Sequence, residues 1–389
     1  MSEFKDIINR NRAWYCLECG KCSAVCPVTR WESREFASPR LLIEKATEGR
    51  REAFFEAPLF WSCLTCKRCS ELCPSDVHFS EFIRDMRQVA RDEGHTGSCT
   101  HGDVIQTWAR MMTEPNLRQN RLGWLTEELE TSDDSDTLFF VGCLPLYHTL
   151  FRELDIDGIE TARAAVKILN HLGIAPQVMA DERCCGHDQL WGGELETFKS
   201  LAELNVNRLE ETGAKRIVTA CPECARTLAV DYPKWVGAHK MQVYHMGQFL
   251  SENMEDLDFG PSSTAKAISA TFQDPCRLGR HLGIYDEPRN VMTAMGIQLL
   301  EMEHSRNKAL CCGTSCWTAC GQVSKHIQVE RLKEAKSTGA DFLITACHKC
   351  RIHFRCAQQD AAVSDDIDVH IQDFTTLVAS RLKQKNQHS

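Results

Sequence analysis

Residues 213–224 read GAKRIVTACPEC, and residues 339–350 read GADFLITACHKC. Each is a glycine turn, a short apolar and β-branched run, and a Cys-x2-Cys knuckle. Agreement of this kind marks an internal repeat, which has to be recognised before a fold is assigned. Around these knuckles, the first copy places Cys143 before the pair Cys184–Cys185 with Gly186, and ends on Cys221 and Cys224. The second places Cys276 before Cys311–Cys312 with Gly313, and ends on Cys347 and Cys350. The intervening stretches are 40 and 34 residues before the pairs, then 35 and 34 after them. In the first copy the periodicity predicts strands over 137–142, 177–180 and 216–220 and helices over 161–172 and 195–211. The second copy follows the same order. Near-continuous apolar strands alternating with helices predict a parallel sheet covered on both faces. In such sheets ligands gather beyond the carboxyl ends of the strands. Cys143, Cys221, Cys276 and Cys347 fall at those ends, so five cysteines per copy can converge. The glycines after each pair permit a close backbone approach or a positive φ.

The N-terminal stretch carries a different pattern, also doubled. Cys16, Cys19, Cys22 and Cys26 precede Pro27, and Cys63, Cys66, Cys69 and Cys73 precede Pro74. Three thiolates within seven residues can curl around one cuboidal cluster. A pair of zinc sites is the rival reading, but zinc usually takes two separated Cys-x2-Cys knuckles in a closed tetrahedron. Each run resembles that of bacterial ferredoxins, in which the fourth cysteine ligates the other cluster. The resemblance implies one 4Fe-4S cluster on Cys16, Cys19, Cys22 and Cys73. It implies a second on Cys63, Cys66, Cys69 and Cys26. The prolines fix φ and are expected to turn the chain away from the clusters. Leu41, Leu42, Ala46, Phe54 and Phe55 have helical spacing between the runs. A helix is predicted over 79–92, with Phe82, Ile83, Met86 and Val89 on its apolar face. This region, residues 1–95, resembles the alpha-helical ferredoxin domain that fronts many respiratory iron–sulfur subunits.

The chain has 389 residues and 22 cysteines. No apolar h-region or twin arginine marks an export signal, and in a reducing compartment cysteine clusters usually bind metal. A cytoplasmic location is therefore expected, with any membrane association supplied by a partner. No apolar run is long enough for a membrane span. The net charge of −9 argues against nucleic acid as a partner. No Rossmann phosphate fingerprint or P-loop is present, so neither flavin nor nicotinamide is expected on this chain. The expected architecture is α+β and multidomain. A ferredoxin domain (1–95) and a connector (96–136) precede two tandem Rossmann-like α/β domains (137–260 and 261–389). The connector carries a predicted helix with Val104, Ile105, Trp108 and Met111.

The paired Cys-Cys-Gly motifs resemble the CCG domains of heterodisulfide reductase. The domain order is similar to its D subunit, which joins C and B types in one chain. In that family five cysteines hold a non-cubane 4Fe-4S cluster. The resemblance implies one such cluster on Cys143, Cys184, Cys185, Cys221 and Cys224. It implies another on Cys276, Cys311, Cys312, Cys347 and Cys350. The function implied is an electron-transfer subunit of an oxidoreductase complex. Electrons pass from the ferredoxin clusters to the CCG clusters, which either reduce a bound disulfide or hand electrons on. Flavin-containing or membrane-anchored redox subunits are the implied partners. The alternative is the iron–sulfur subunit of a quinone-linked hydroxyacid or glycerol-3-phosphate dehydrogenase. Related subunits also occur in assemblies such as class II benzoyl-CoA reductase. Disulfide reduction needs protons, and His187 and His348 are the candidate carriers, with His148 and His281 also near motif cysteines. An orienting or solvated role is the plainer reading of each. Cys316 and Cys320 are extra cysteines that serve as alternative ligands or pack in the core; Cys356 is expected to be buried, and Cys99 fits no motif.

Overall fold

A computed structural model describes residues 2–32, 37–237, 239–260 and 268–383. The repeat builds two parallel sheets. The first has strands β1 (Thr137–Phe139), β2 (Arg216–Thr219) and β3 (Gln242–His245), in the order β1-β2-β3. The second has β4 (Ser269–Gln273), β5 (Gln298–Leu299), β6 (Phe342–Thr345) and β7 (His370–Asp373), in the order β5-β4-β6-β7. Ile217 and Val218 pair with Val243 and Tyr244, and Leu343 and Ile344 pair with Ile371 and Gln372. Helices pack against the sheets because their apolar residues recur every three or four positions. In the helix Gly158–His171, Ala162, Ala165, Ile168 and Leu169 are buried, and Asp157 caps the N-terminus by accepting from Glu160 N at 2.9 Å.

The strand expected over 177–180 shrinks to one parallel bridge between Leu138 and Gln177. Gln177 makes both of its backbone bonds to β1. The chain then turns so that the Glu182 carboxylate can accept from the N–H groups of Val141 and Gly142 at 2.9 and 2.7 Å. Its counterpart in the second copy, β5, is only two residues long.

The two sheets share one apolar seam, in which Phe139, Val218 and Met246 cluster with Phe272, Ile344 and Phe374. Among the described residues, the regular elements of the N-terminal region are all helices. The helix Phe79–Asp92 buries Phe82, Ile83, Met86 and Val89, as its spacing predicts, with Phe82 against the ring of Phe54, which packs in turn on Phe60. This core runs on without a break into Leu343, Phe354, Cys311 and Cys347 of the second α/β unit. Arg87, fully buried, fastens the first unit too: it donates to the carbonyls of Phe60, Trp61 and Cys63 and to that of Trp191.

Beyond β4, Arg289 grips the buried Asp274 through both oxygens, at 2.7 and 2.9 Å, and also reaches Glu301. Lysine keeps the charge and loses the fork. Arg289→Lys is therefore expected to destabilise the chain by about 1.5–3 kcal/mol, measured by anaerobic chemical denaturation. A change within error would mean that the fork geometry contributes nothing there.

Candidate functional site

Two small pockets lie in the N-terminal region. Cys16, Cys19, Cys22 and Cys73 line one of them, and Cys69 borders it. Cys26, Cys63, Cys66 and Cys69 line the other. Each triad therefore meets the fourth cysteine of the opposite run across a void. Local backbone geometry makes this crossing possible. Gly20 and Lys67 take φ of 75° and 66°, which starts the short helices Lys21–Val25 and Arg68–Glu71 inside the two runs. Pro27 opens a helical turn, Pro27–Trp31, so it directs Cys26 inward by starting a helix. The voids differ in exposure: Cys19 is exposed, whereas Cys63 and Cys66 are buried. Burial pushes the Cys63 thiol up to about 12. Buried sulfurs crowded in this way resist becoming thiolates unless a cation compensates, which is the chemistry of a metal-cluster ligand set.

The two CCG sites repeat each other in the order of their sulfurs. In the first, the Cys143 and Cys184 sulfurs lie 3.8 Å apart and those of Cys185 and Cys224 lie 3.5 Å apart. Cys221 completes the row beside Cys224. In the second, the row runs Cys276, Cys311, Cys312, Cys350, Cys347, each sulfur within hydrogen-bond reach of the next. Gly313, at φ +91°, brings its backbone so close to Ser324 that an added Cβ would lie 2.7 Å from the Ser324 carbonyl oxygen. The glycine of this motif is thus required by both conformation and space. A void bordered by Cys276, Cys312, Cys347 and Cys350 accompanies the second row. Five convergent sulfurs exceed what one tetrahedral zinc can use. They fit a multi-iron group.

The second row has a sixth sulfur beside it. Cys66 of the ferredoxin region lies within hydrogen-bond reach of Cys311, and that bond pushes the Cys66 thiol below its ordinary value. Arg280 and Arg277 clamp the same loop, donating to the carbonyls of Cys66 (2.6 Å) and Thr65 (2.7 Å).

Between the two CCG rows lies a dense charged cluster. Lys349 and Glu223 occupy equivalent positions in the two knuckles, CHKC and CPEC, and pair at 2.7 Å. Lys349 also holds Asp188 at 2.5 Å. Burial alone would lower the Lys349 ammonium, but Asp188 and Glu223 override it and keep it charged. His187, Asp188 and Glu223 lie close enough to bind a cation, and Lys349 already supplies the positive charge. Arg277 stacks 4.1 Å from the Trp191 ring centroid and donates to His187 Nε2 at 3.0 Å. Sequence reasoning does not single out Lys349, Glu223, Asp188 or Arg277. The opposite charges at one aligned position of the repeat are the signal that could have found the first two.

The four histidines are placed as follows. His187 accepts from Arg277 at Nε2, so its Nδ1–H donates to Thr227 Oγ1 at 2.9 Å. Burial first, then Arg277, pushes it well below its ordinary value, so it is neutral. His348 is buried against Thr161 Oγ1 (3.1 Å) and near Asp373, on the seam between the α/β units. His281 meets Arg277 and the Thr65 carbonyl. His148 lies 3.3 Å from Asp157 at the surface. Cys316 is buried and packs in the core cluster that also holds Cys185 and Cys224. Cys320 is exposed. Cys356, expected to be buried, is half-exposed with Lys325 Nζ 3.8 Å away. The amphiphilic lysine stem lets the thiol remain near solvent there. Cys99 bridges to Thr318 through its backbone.

Residues 12–77 match the family described as a 4Fe-4S dicluster domain, and residues 137–229 and 270–355 match the CCG cysteine-rich domain. The D subunit of the dihydromethanophenazine:CoB–CoM heterodisulfide reductase of Methanosarcina mazei is 30% identical over 274 residues, covering 68% of this chain and 63% of that protein. Its counterpart in Methanosarcina barkeri is 31% identical with the same coverage. The B subunit of the fumarate reductase (CoM/CoB) of Methanothermobacter marburgensis is 25% identical over 367 residues, 90% of this chain and 69% of that one. The chain therefore spans less than two thirds of the two heterodisulfide reductase subunits. No helix among the described residues is long and apolar enough to cross a membrane.

Proposed function

Starting from a chain that carries a 4Fe-4S dicluster domain and two CCG cysteine-rich domains and is related to the D subunit of heterodisulfide reductase, we propose an electron-relay subunit of an oxidoreductase complex. Two cubane clusters would be held by Cys16, Cys19, Cys22 and Cys73, and by Cys63, Cys66, Cys69 and Cys26. Two non-cubane clusters would be held by the five-cysteine rows. Bound there, the clusters supply one-electron carriers whose potentials are set by charge, hydrogen bonds and solvent exposure.

The docking of the Cys66 loop on the second CCG site carries the reading: Arg280 and Arg277, which follow Cys276, donate to the Cys66 and Thr65 carbonyls at 2.6 and 2.7 Å. It makes the ferredoxin region and the second CCG site neighbours, with Cys66, Cys311 and Cys312 in one buried cluster. The exposed Cys19 end is the natural face for a donor or acceptor subunit, carrying flavin or a membrane anchor of its own. Relatives named as subunits support a multi-chain assembly. Lys349, Glu223, Asp188, Arg277 and Trp191 pack the space between the CCG rows with side chains of this chain. That packing favours relay over reduction of a disulfide bound between the rows.

Iron and acid-labile sulfide on anaerobically purified protein are expected at about sixteen each per chain, with EPR signals beyond those of the two cubanes. About eight irons would leave only the ferredoxin region loaded and sink the CCG half of the reading. Steady turnover of a disulfide by the isolated, fully loaded chain would replace relay with catalysis.

A further inference from the structure

The two CCG sites match in sulfur order and differ in one exchange. In the first, the residue after the Cys-Cys-Gly motif is His187, and the residue three positions past the knuckle is Thr227. In the second, the same positions hold Thr314 and His353. The histidine and the threonine have traded places, and the consequence is geometric. His187 turns from the sulfurs toward Thr227 and Arg277. His353 turns toward them: its Nδ1 lies 3.5 Å from Cys312 Sγ.

The surroundings of His353 hold it in that pose. The ring is 3% exposed, and its Nε2 has no partner among the described residues. Trp317 packs edge-on, 5.2 Å between ring centroids. Trp317 sits in a loop where Cys316, Trp317 and Ala319 all take positive φ, at 54°, 54° and 51°. Non-glycine residues there store strain, which persists only where surrounding structure compels it. A ligating thiolate offers no proton, so Nδ1 must be the protonated nitrogen. No side-chain N–H donates to the five sulfurs of the first site among the described residues; Gly186 N, 3.4 Å from Cys184 Sγ, is its backbone donor.

Resting on the reading of both rows as cluster sites, we propose that His353 is a tuning residue: it donates Nδ1–H to the Cys312 sulfur and sets the second CCG centre at a higher reduction potential than the first. A hydrogen bond withdraws electron density from the ligand and favours the reduced, more negative cluster. Arg277 and Arg280, buried beside Cys276, act in the same direction. At the first site the charge of Arg121 is opposed by Glu182, 2.6 Å away. Electrons delivered at the Cys66 side would thus come to rest on the second centre.

The test is an EPR-monitored redox titration of wild type, His353→Leu and His353→Asn, each with its iron counted. Asparagine offers an amide N–H where the imidazole Nδ1 stood; leucine offers none. His353→Leu is expected to shift the one-electron reduction equilibrium of the second centre about tenfold toward oxidised, which is about 59 mV. His353→Asn is expected to restore most of it, and the first centre is expected to stay in place. Full iron with an unchanged potential in His353→Leu would overturn the proposal and leave the relay intact. Iron at half the expected level in wild type would instead overturn the reading on which it rests. Should His353→Leu lose the cluster, wild type labelled with 15N-histidine decides: a histidine nitrogen coupling on the second centre's signal is expected, and its absence overturns the bond.

Discussion

Lys349→Met is expected to destabilise the folded chain by about 3–5 kcal/mol, the cost of leaving a buried charge without its partner. The ammonium is 3% exposed and lies 2.5 Å from Asp188 and 2.7 Å from Glu223. Methionine matches the stem in length and gives up the cation held 5.3 Å from the Trp317 ring centroid. What is lost is the group that joins the two carboxylates, at the seam between the CCG rows. Adding Glu223→Gln should recover part of the loss, because a single carboxylate then remains uncompensated. Anaerobic guanidinium denaturation followed by far-UV circular dichroism measures both variants. A loss below about 1 kcal/mol would place the pair among weakly coupled surface bridges and remove it as the keystone of the seam.

The second large effect concerns the crossed ligands. Cys73→Ala is expected to remove the centre nearest solvent, and Cys26→Ala the one against the CCG rows. Each loss is about four of about sixteen irons. The two variants should differ sharply in function. With Cys26→Ala, reduction of the CCG centres by an external one-electron donor should slow strongly, because the loop docked on the second CCG site loses its carrier. With Cys73→Ala the inner centre survives and the slowing should be smaller. The surviving signal identifies the pairing: after Cys26→Ala it should be the one broadened by a soluble paramagnetic relaxant, since Cys19 is exposed. If Cys26→Ala instead removed the relaxant-sensitive signal, each run would be closing its own cluster, and the crossed voids would be misleading.

Much of this protein is legible in one dimension because its chemistry is local. Three cysteines within seven residues declare a cluster loop before any fold exists. The helix Phe79–Asp92 is predictable because its apolar stripe, Phe82, Ile83, Met86 and Val89, recurs at helical spacing and is buried. The strand expected over 177–180 is too long for the opposite reason: a short apolar run has no periodicity to separate a ladder from a single bridge. There the Glu182 carboxylate, satisfying two N–H groups after β1, redirects the chain. The histidines show the limit most clearly. His187 and His348 stand out by proximity to motif cysteines, yet both point to threonine hydroxyls. His353, three residues past its knuckle, reaches a sulfur. On a helix, three positions is nearly one turn, and which side of the turn faces the row depends on how the helix is docked.

The sequence by itself determined the duplication, the alternation of strand and helix, and which cysteines fall together in the motifs, since spacing along the chain limits which thiols can meet and which apolar faces can form. Only the tertiary structure decided which row the ferredoxin region touches, that Lys349 bridges Asp188 and Glu223, and that the matched CCG sites are inequivalent. Those facts depend on residues as far apart as Cys66 and Cys311, brought together by a shared apolar core. Burial of that core, summed over many side chains without regard to their chain position, sets the docking, and no local pattern encodes it.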